Sequence, residues 1–252
     1  MIRTALAALL LACFTLPGQG LAQAGPFEDW RADFTERLDA RGTDAAIVAS
    51  MMDGLEPDMG IIERDRSQPE FVRPIWEYIE GAASEARVRN GLAAQAEHAG
   101  ALDAVTGRFG VDGDVLTAIW GLESAFGEIQ GGHDVVRSLA TLAWEGRRRA
   151  FAEAQLFAIA EMIERGMATR EDLTGSWAGA MGHVQFMPTV FLKHAVDADG
   201  DGRREDTHPS GRGWECQASV PRPTAVGGGE QVAADGRDQP VVRHGADGRR
   251  RE

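Results

Sequence analysis

The chain has 252 residues, enough for one large domain or two small ones, and 43% of them are hydrophobic, so most of its length can support a packed core. A net charge of −13 argues against nucleic acid as a partner and offers no steering toward an anionic polymer. The first residues, MIRTALAALLLACFTLPGQGLAQAG, carry Arg3, an apolar run Ala5–Leu11 and a small-x-small site at Ala22-Gln23-Ala24. That pattern predicts a signal peptide over residues 1–24 and an exported, periplasmic protein. The alternative is a lipoprotein signal, Leu10-Leu11-Ala12-Cys13, with a lipid anchor on Cys13. The apolar run is too short to stay in a membrane as a spanning helix, and nothing later in the chain reads as transmembrane. After cleavage at Ala24 only Cys216 remains, so no intramolecular disulfide can form.

From Phe27 onward the pattern is helical. Phe27, Trp30, Phe34 and Leu38 step by three or four, and Gly42 is placed to stop that helix. Thr43 can cap a second helix over 44–53, ended by Gly54. Residues 61–71 read as extended, because Pro69 disfavours helix at Gln68. Pro74 suits the first turn of a short helix, IWEYIEG. Helices follow over 84–98 and 100–109, the latter stopped by Gly110. Asp112 or Asp114 caps the next helix, which Gly127 ends, and Asp134 caps VVRSLATLAW. Residues 147–165 form a long amphipathic helix with Phe151, Leu156, Ile159 and Ile163 inward. No alternating strand precedes residue 190 and no repeat is present, so the class is mainly α. From Lys193 to Glu252 there is no Leu, Ile, Phe, Met or Tyr. Such a segment buries too little apolar surface to offset chain entropy, and disorder is expected over 205–252.

Two stretches carry chemistry. In AIWGLESAFG, residues 118–127, the helical neighbours of Glu123 are Ile119, Trp120, Phe126 and Gly127, none of them charged. One reading is a buried structural acid paired with an arginine. The other is a functional acid, because apolar surroundings and the negative end of a helix dipole both raise a carboxyl pKa. A glutamic acid that stays protonated near neutral pH can protonate a leaving oxygen, as glycoside cleavage requires. The second stretch is GSWAGAMGHVQFMP, residues 175–188. Its glycines and alanines allow a backbone or ligand to approach, and Ser176 and Gln185 stand among Trp177, Met181, Phe186 and Met187. It reads either as a tightly packed helix with Ser176 as N-cap or as a sugar-binding wall of flat apolar groups with a few amides and hydroxyls.

IERDRSQPEF, AIWGLESAFG, RSLATLAW, Arg147-Arg148 and GSWAGAMGHVQFMP occur in this order and spacing. Together they resemble the lytic murein transglycosylase B family of peptidoglycan-cleaving enzymes, over roughly residues 26–204. The resemblance implies a lysozyme-like helical catalytic domain with extra helices, and peptidoglycan glycan strands as the partner. It implies Glu123 as the catalytic acid and base, Ser176 and Gln185 holding the N-acetylmuramoyl group, and Arg147 and Arg148 beside the cleft. Met181 and Phe151 complete the expected substrate-binding set; the family often has a tyrosine at position 151. The expected reaction forms a 1,6-anhydro sugar with no water consumed. A hydrolytic muramidase would instead need a second carboxylate, for which Asp134 and Glu145 are the candidates. A third reading is an inactive or binding-only peptidoglycan protein.

Asp197, Asp199, Asp201 and Gly202 begin like a calcium loop, D-x-D-x-D-G, but position twelve is His208 where a bidentate acid is needed. Calcium is therefore a weak candidate, and no other cofactor is expected. The match fades within a few residues of Gly202. The expected organisation is a catalytic domain over 25–204, incomplete at its C-terminal end, then a tail outside the family pattern. The tail's Arg, Gly, Ala, Pro and Val content, with one lysine in the whole chain, suits a GC-rich gene read out of phase; a genuine disordered extension is the alternative. A monomer is expected.

Overall fold

The computed structural model describes residues 25–67 and 74–196. The signal segment with Cys13, the calcium-loop residues Asp197, Asp199 and Asp201, and the tail over 205–252 all lie outside the described residues. The described part is mainly helical.

Helix α1 (Phe27–Ala40) buries Phe27, Trp30, Phe34 and Leu38, and the Trp30 and Phe34 rings stack with centroids 5.4 Å apart. Gly42 follows it with φ of 81°, a left-handed position that suits a residue without Cβ. Helix α2 (Ala45–Met52) is capped by Asp44, whose carboxylate accepts from the Ala46 N–H at 2.8 Å, and not by Thr43. The helix begins one residue later than a Thr43 cap requires.

Helix α3 (Met59–Ser67) corrects the expectation of an extended segment over 61–71. A proline restricts the residue directly before it, and that restriction does not reach back past Gln68. Ile61, Ile62 and Asp65 share the buried face of α3, which packs on α8. Residues 68–71 lie outside the described part. Helix α4 (Ile75–Ala82) follows Pro74 and buries none of its residues; Ile75, Trp76, Tyr78 and Ile79 all face solvent.

Helices α5 (Glu85–Glu97), α6 (Ala99–Phe109) and α7 (Gly113–Ser124) build one apolar cluster from Ala94, Leu102, Val105, Val111, Leu116 and Trp120. Ser84 caps α5, Gly110 ends α6 in the left-handed region, and Asp112 caps α7 by accepting from the Asp114 N–H at 2.9 Å. A larger cluster gathers around α8 (Val135–Glu145) and α9 (Arg149–Glu164), with α1, α2 and α10 (Pro188–His194) against it. Asp134 caps α8. Leu156 and Ile159 of α9 are fully buried, whereas Phe151 faces outward at 37% exposure, contrary to the inward position expected.

One small sheet appears where none was expected. β1 (His133–Asp134) pairs antiparallel with β2 (Thr174–Gly175), His133 opposite Gly175. It fastens the start of α8 to the segment after α9, and the loop at 175–187 grows from it.

A partly buried ion pair ties α1 to α9. Arg37 donates to both carboxylate oxygens of Glu153 at 2.8 Å, and the Trp30 indole N–H donates at 3.0 Å. Burial pushes the Glu153 carboxyl up, but these hydrogen bonds and the Arg37 charge outweigh it and hold the pKa below the ordinary value.

Candidate active site

Helix α7 stops one residue after Glu123. Ala125, Phe126 and Gly127 then take φ of 50°, 64° and 91° in succession. Two of these are non-glycine residues in the left-handed region, a conformation that surrounding structure must enforce. The enforcing contacts are visible. The Phe126 ring turns back onto Trp120, edge to face with centroids 5.6 Å apart. It lies over Gly121, where a Cβ would sit 2.5 Å from the ring. The residues three and four after Glu123 thus leave the helix, and the apolar surround is resolved into a folded-back turn.

Ser124 anchors that turn. Its hydroxyl donates to the His183 carbonyl at 2.6 Å and accepts from the Gly127 N–H at 2.9 Å. Glu123 itself is exposed. Among the described residues no hydrogen bond or ion pair to its carboxylate is present, unlike Glu145 and Glu153. The protein around it still desolvates the carboxyl enough to raise its pKa above the ordinary value, and no cation offsets that. The structural-acid reading required a partner, and none is present among the described residues.

The stretch 175–187 is not a helix but a series of turns held by two bridges, Gly175 with Met181 and Met181 with Phe186. Ser176 therefore does not cap a helix. Its hydroxyl accepts from the Ala180 N–H at 3.0 Å, inside a tight turn, and its own proton remains available to donate. Gln185 has φ of 49°. Its amide nitrogen donates to the carbonyls of Gln130 at 3.1 Å and Gly182 at 2.9 Å. Both partners are acceptors, so the nitrogen must face them and the amide oxygen is turned away from both. The loop after Glu123 lies against this segment at Gly131, where a Cβ would sit 2.2 Å from the Gly175 carbonyl oxygen. Ser176 and Gln185 are thus joined to the end of α7 through residues 127–131.

Met181 is a correction. Its side chain is 3% exposed and belongs to the main core, because the two bridges turn it inward. It supports the loop from beneath and offers no surface to a substrate.

Arg147, Arg148 and Phe151 form a second cluster, organised by Asp65 of α3. Asp65 is 2% exposed and is paired with Arg147, whose guanidinium also donates to the Asp65 carbonyl at 2.8 Å. Arg148 lies 3.6 Å from the other Asp65 oxygen and 4.6 Å above the Phe151 ring. Glu145 accepts from Arg66 at 3.0 Å and from the Arg147 N–H at 3.0 Å. Burial pushes the Glu145 carboxyl up, and those donors bring it below its ordinary pKa. Asp134 is held by Arg170 at 2.6 Å.

Sequence reasoning missed Ser124, Gln130, His183 and Asp65 as working parts. The signals were present: serine follows glutamate directly, and Asp65 stands in the IERDR motif. An apolar groove of about 440 Å³ lies on another face of α7, between Ile79, Val88, Leu92, Thr117 and Phe126. It does not include Glu123.

The fold and site define a helical domain that presents one unpaired glutamic acid at a helix end, beside a loop of small residues, a serine and a glutamine. Residues 26–208 match the family model described as the Transglycosylase SLT domain, and the chain belongs to that family. It is 47% identical to SltB3 from Pseudomonas aeruginosa, solved in complex with NAG-NAM-pentapeptide, with a TM-score of 0.73 over 77% of this chain and 52% of that one. SltB1 from the same organism is 27% identical, with a TM-score of 0.67 over 75% of this chain and 65% of that one. The membrane-bound lytic murein transglycosylase B of Escherichia coli (strain K12) is 34% identical over 116 residues, 46% of this chain and 32% of that protein. The chain therefore spans about half the length of SltB3 and about a third of the Escherichia coli protein. The mainly helical, lysozyme-like class follows from these likenesses. No helix among the described residues is long and apolar enough to cross a membrane.

Proposed function

We propose that this chain is a lytic transglycosylase that cleaves the β-1,4 bond between N-acetylmuramic acid and N-acetylglucosamine in peptidoglycan. Glu123 is its single acid and base. The observation that carries the reading is the Glu123 carboxyl: unpaired, raised in pKa, and set at the end of α7 beside the Gln185 loop. The ligands of SltB3 support it, because one is NAG-NAM-pentapeptide and another is NAG-anhNAM-pentapeptide.

In the reaction, protonated Glu123 gives its proton to the bridging oxygen, and the bond from that oxygen to C1 of the muramoyl ring breaks. The substrate's own N-acetyl oxygen stabilises the positive C1. Ionised Glu123 then takes the proton of the C6 hydroxyl of the same ring, whose oxygen bonds to C1. The product is a 1,6-anhydro end, and Glu123 returns to its protonated state. A tethered nucleophile has a large effective-molarity advantage over water. Hydrolysis would need a second free carboxylate, and both sequence candidates are committed, Asp134 to Arg170 and Glu145 to Arg66. Export to the periplasm, where the glycan strand lies, belongs to the same reading.

Digests of purified sacculi test this. Released muropeptides should resist borohydride reduction at their new ends and carry the mass of an anhydro sugar. Reducible ends would make the protein a muramidase, and binding without release would make it a binding protein.

Gln185→Ala and Ser176→Ala should both lower turnover more than stability, with Gln185 the larger. With its nitrogen turned to two carbonyls, the Gln185 amide has its oxygen left to accept the N–H of an N-acetyl group in this reading, and losing such a bond costs about 1–3 kcal/mol. Wild-type steady-state kinetics in both variants would remove the 175–187 loop from the substrate site.

A further inference from the structure

His183 lies between the two halves of the candidate site. It is 7% exposed. The Trp120 indole N–H donates to its Nδ1 at 3.1 Å. Its backbone carbonyl receives the Ser124 hydroxyl at 2.6 Å. Its ring covers Gly127 so closely that a Cβ there would sit 2.2 Å from Cε1. Its Nε2 is 3.4 Å from the Gln130 amide nitrogen, which donates to the Gly127 carbonyl at 3.0 Å. Gln130 in turn gives its own carbonyl to the Gln185 amide at 3.1 Å. One imidazole thus touches the helix that carries Glu123, the left-handed turn that ends it, and the residue that holds Gln185.

We propose that His183 is a positioning residue for the Glu123 reaction, fixing the last turn of α7 against the loop that carries Gln185. This deepens the transglycosylase reading and rests on it. Indole N–H groups only donate, so Nδ1 must be an unprotonated acceptor and the ring is neutral. The neutral ring then carries its proton on Nε2, so the Gln130 nitrogen 3.4 Å away makes a packing contact and no hydrogen bond. A second proton, on Nδ1, would face the Trp120 N–H, and burial lowers the pKa in the same direction. The ring acts as a fixed acceptor and spacer, and it transfers no proton. Its effect falls on the angle at which Glu123 meets the bridging oxygen. Small misplacements of a reacting group cost up to about 100-fold in rate.

The test uses the full chain and soluble glycan-strand fragments, with wild type and Glu123→Gln measured in parallel. His183→Leu should lower kcat about 10- to 100-fold with KM within about 2-fold. His183→Asn, whose amide oxygen can replace Nδ1 as the acceptor for Trp120, should recover most of the loss. Trp120→Phe deletes the donor together with part of the ring that packs on Phe126, so it should lower kcat at least as much; should His183→Leu fail to fold, His183→Met, which fills the space without a strong acceptor, decides the matter. A folded His183→Leu with wild-type kcat overturns the proposal, as does an Asn variant no better than Leu, or an unchanged Trp120→Phe. An inactive wild type, or a fully active Glu123→Gln, would instead overturn the transglycosylase reading itself.

Discussion

Glu123→Gln is expected to abolish muropeptide release from sacculi, a loss of about 10²–10⁴-fold or more, because a positioned general acid contributes that much. The amide keeps the shape but can neither give the proton of the first step nor take the one of the second. Stability should stay within about 0.5 kcal/mol, as for other exposed positions without partners. Wild-type activity should fall as pH rises through the raised pKa of Glu123, because the first step needs the protonated form. The same shift has a sign for stability. The folded state holds this proton more tightly than the unfolded chain, so the contribution is complete below the unfolded pKa and is lost as pH rises through the folded one. Denaturation of wild type and variant across that window checks it. Retained release by the Gln variant would remove Glu123 from the chemistry, and a large loss of folding would return it to a structural role.

The largest effect on stability is expected from Arg37→Met. Glu153 accepts two hydrogen bonds from Arg37 and one from Trp30 at a side-chain exposure of 11%. Removing the cation leaves a carboxylate in a nearly buried place with only an indole donor. A loss of about 2–3 kcal/mol follows, below the value for a fully buried pair because Arg37 is partly exposed. The pH dependence should change sign. In the wild type the depressed Glu153 pKa gives stability that is present above the unfolded pKa and lost as pH falls through the folded one. In Arg37→Met burial, the largest influence on this carboxyl, is opposed only by the Trp30 N–H and the Arg149 charge, so the pKa rises and lowering the pH should now restore stability. Urea melts at pH 4 and pH 7 would separate these outcomes, and equal losses at both would mean the pair contributes only packing.

Much of the helical architecture was legible because helix stops and caps are local. Gly110, Asp112 and Asp134 act through their own backbone angles or the next turn of chain. Residues 61–67 were misread because a proline's short-range effect was extended over a segment whose Ile61, Ile62 and Asp65 instead lie on the buried face of a helix packed on α8. Phe151 was misread because apolar spacing cannot tell a core residue from one lying under an arginine. The loop at 175–187 was ambiguous because small residues serve a packed helix and a crossed-over turn equally well.

By itself, the sequence determined which residues could do chemistry: a carboxylate at a helix end, with a serine and a glutamine in a glycine-rich stretch farther along the chain, at 176 and 185. It also determined most of the helices, α3 excepted, since periodicity and capping depend on neighbours within four positions. Only the tertiary structure decided which acid is free. Glu123, Glu145 and Glu153 look alike on paper, and two of them are claimed by arginines from α3 and α1, while no partner among the described residues holds the first. It also decided that Met181 faces the core, that Asp65 organises the arginine pair, and that His183 joins the halves of the site. Those assignments depend on contacts between residues tens of positions apart, which no local pattern encodes and only the packed chain brings within hydrogen-bond reach.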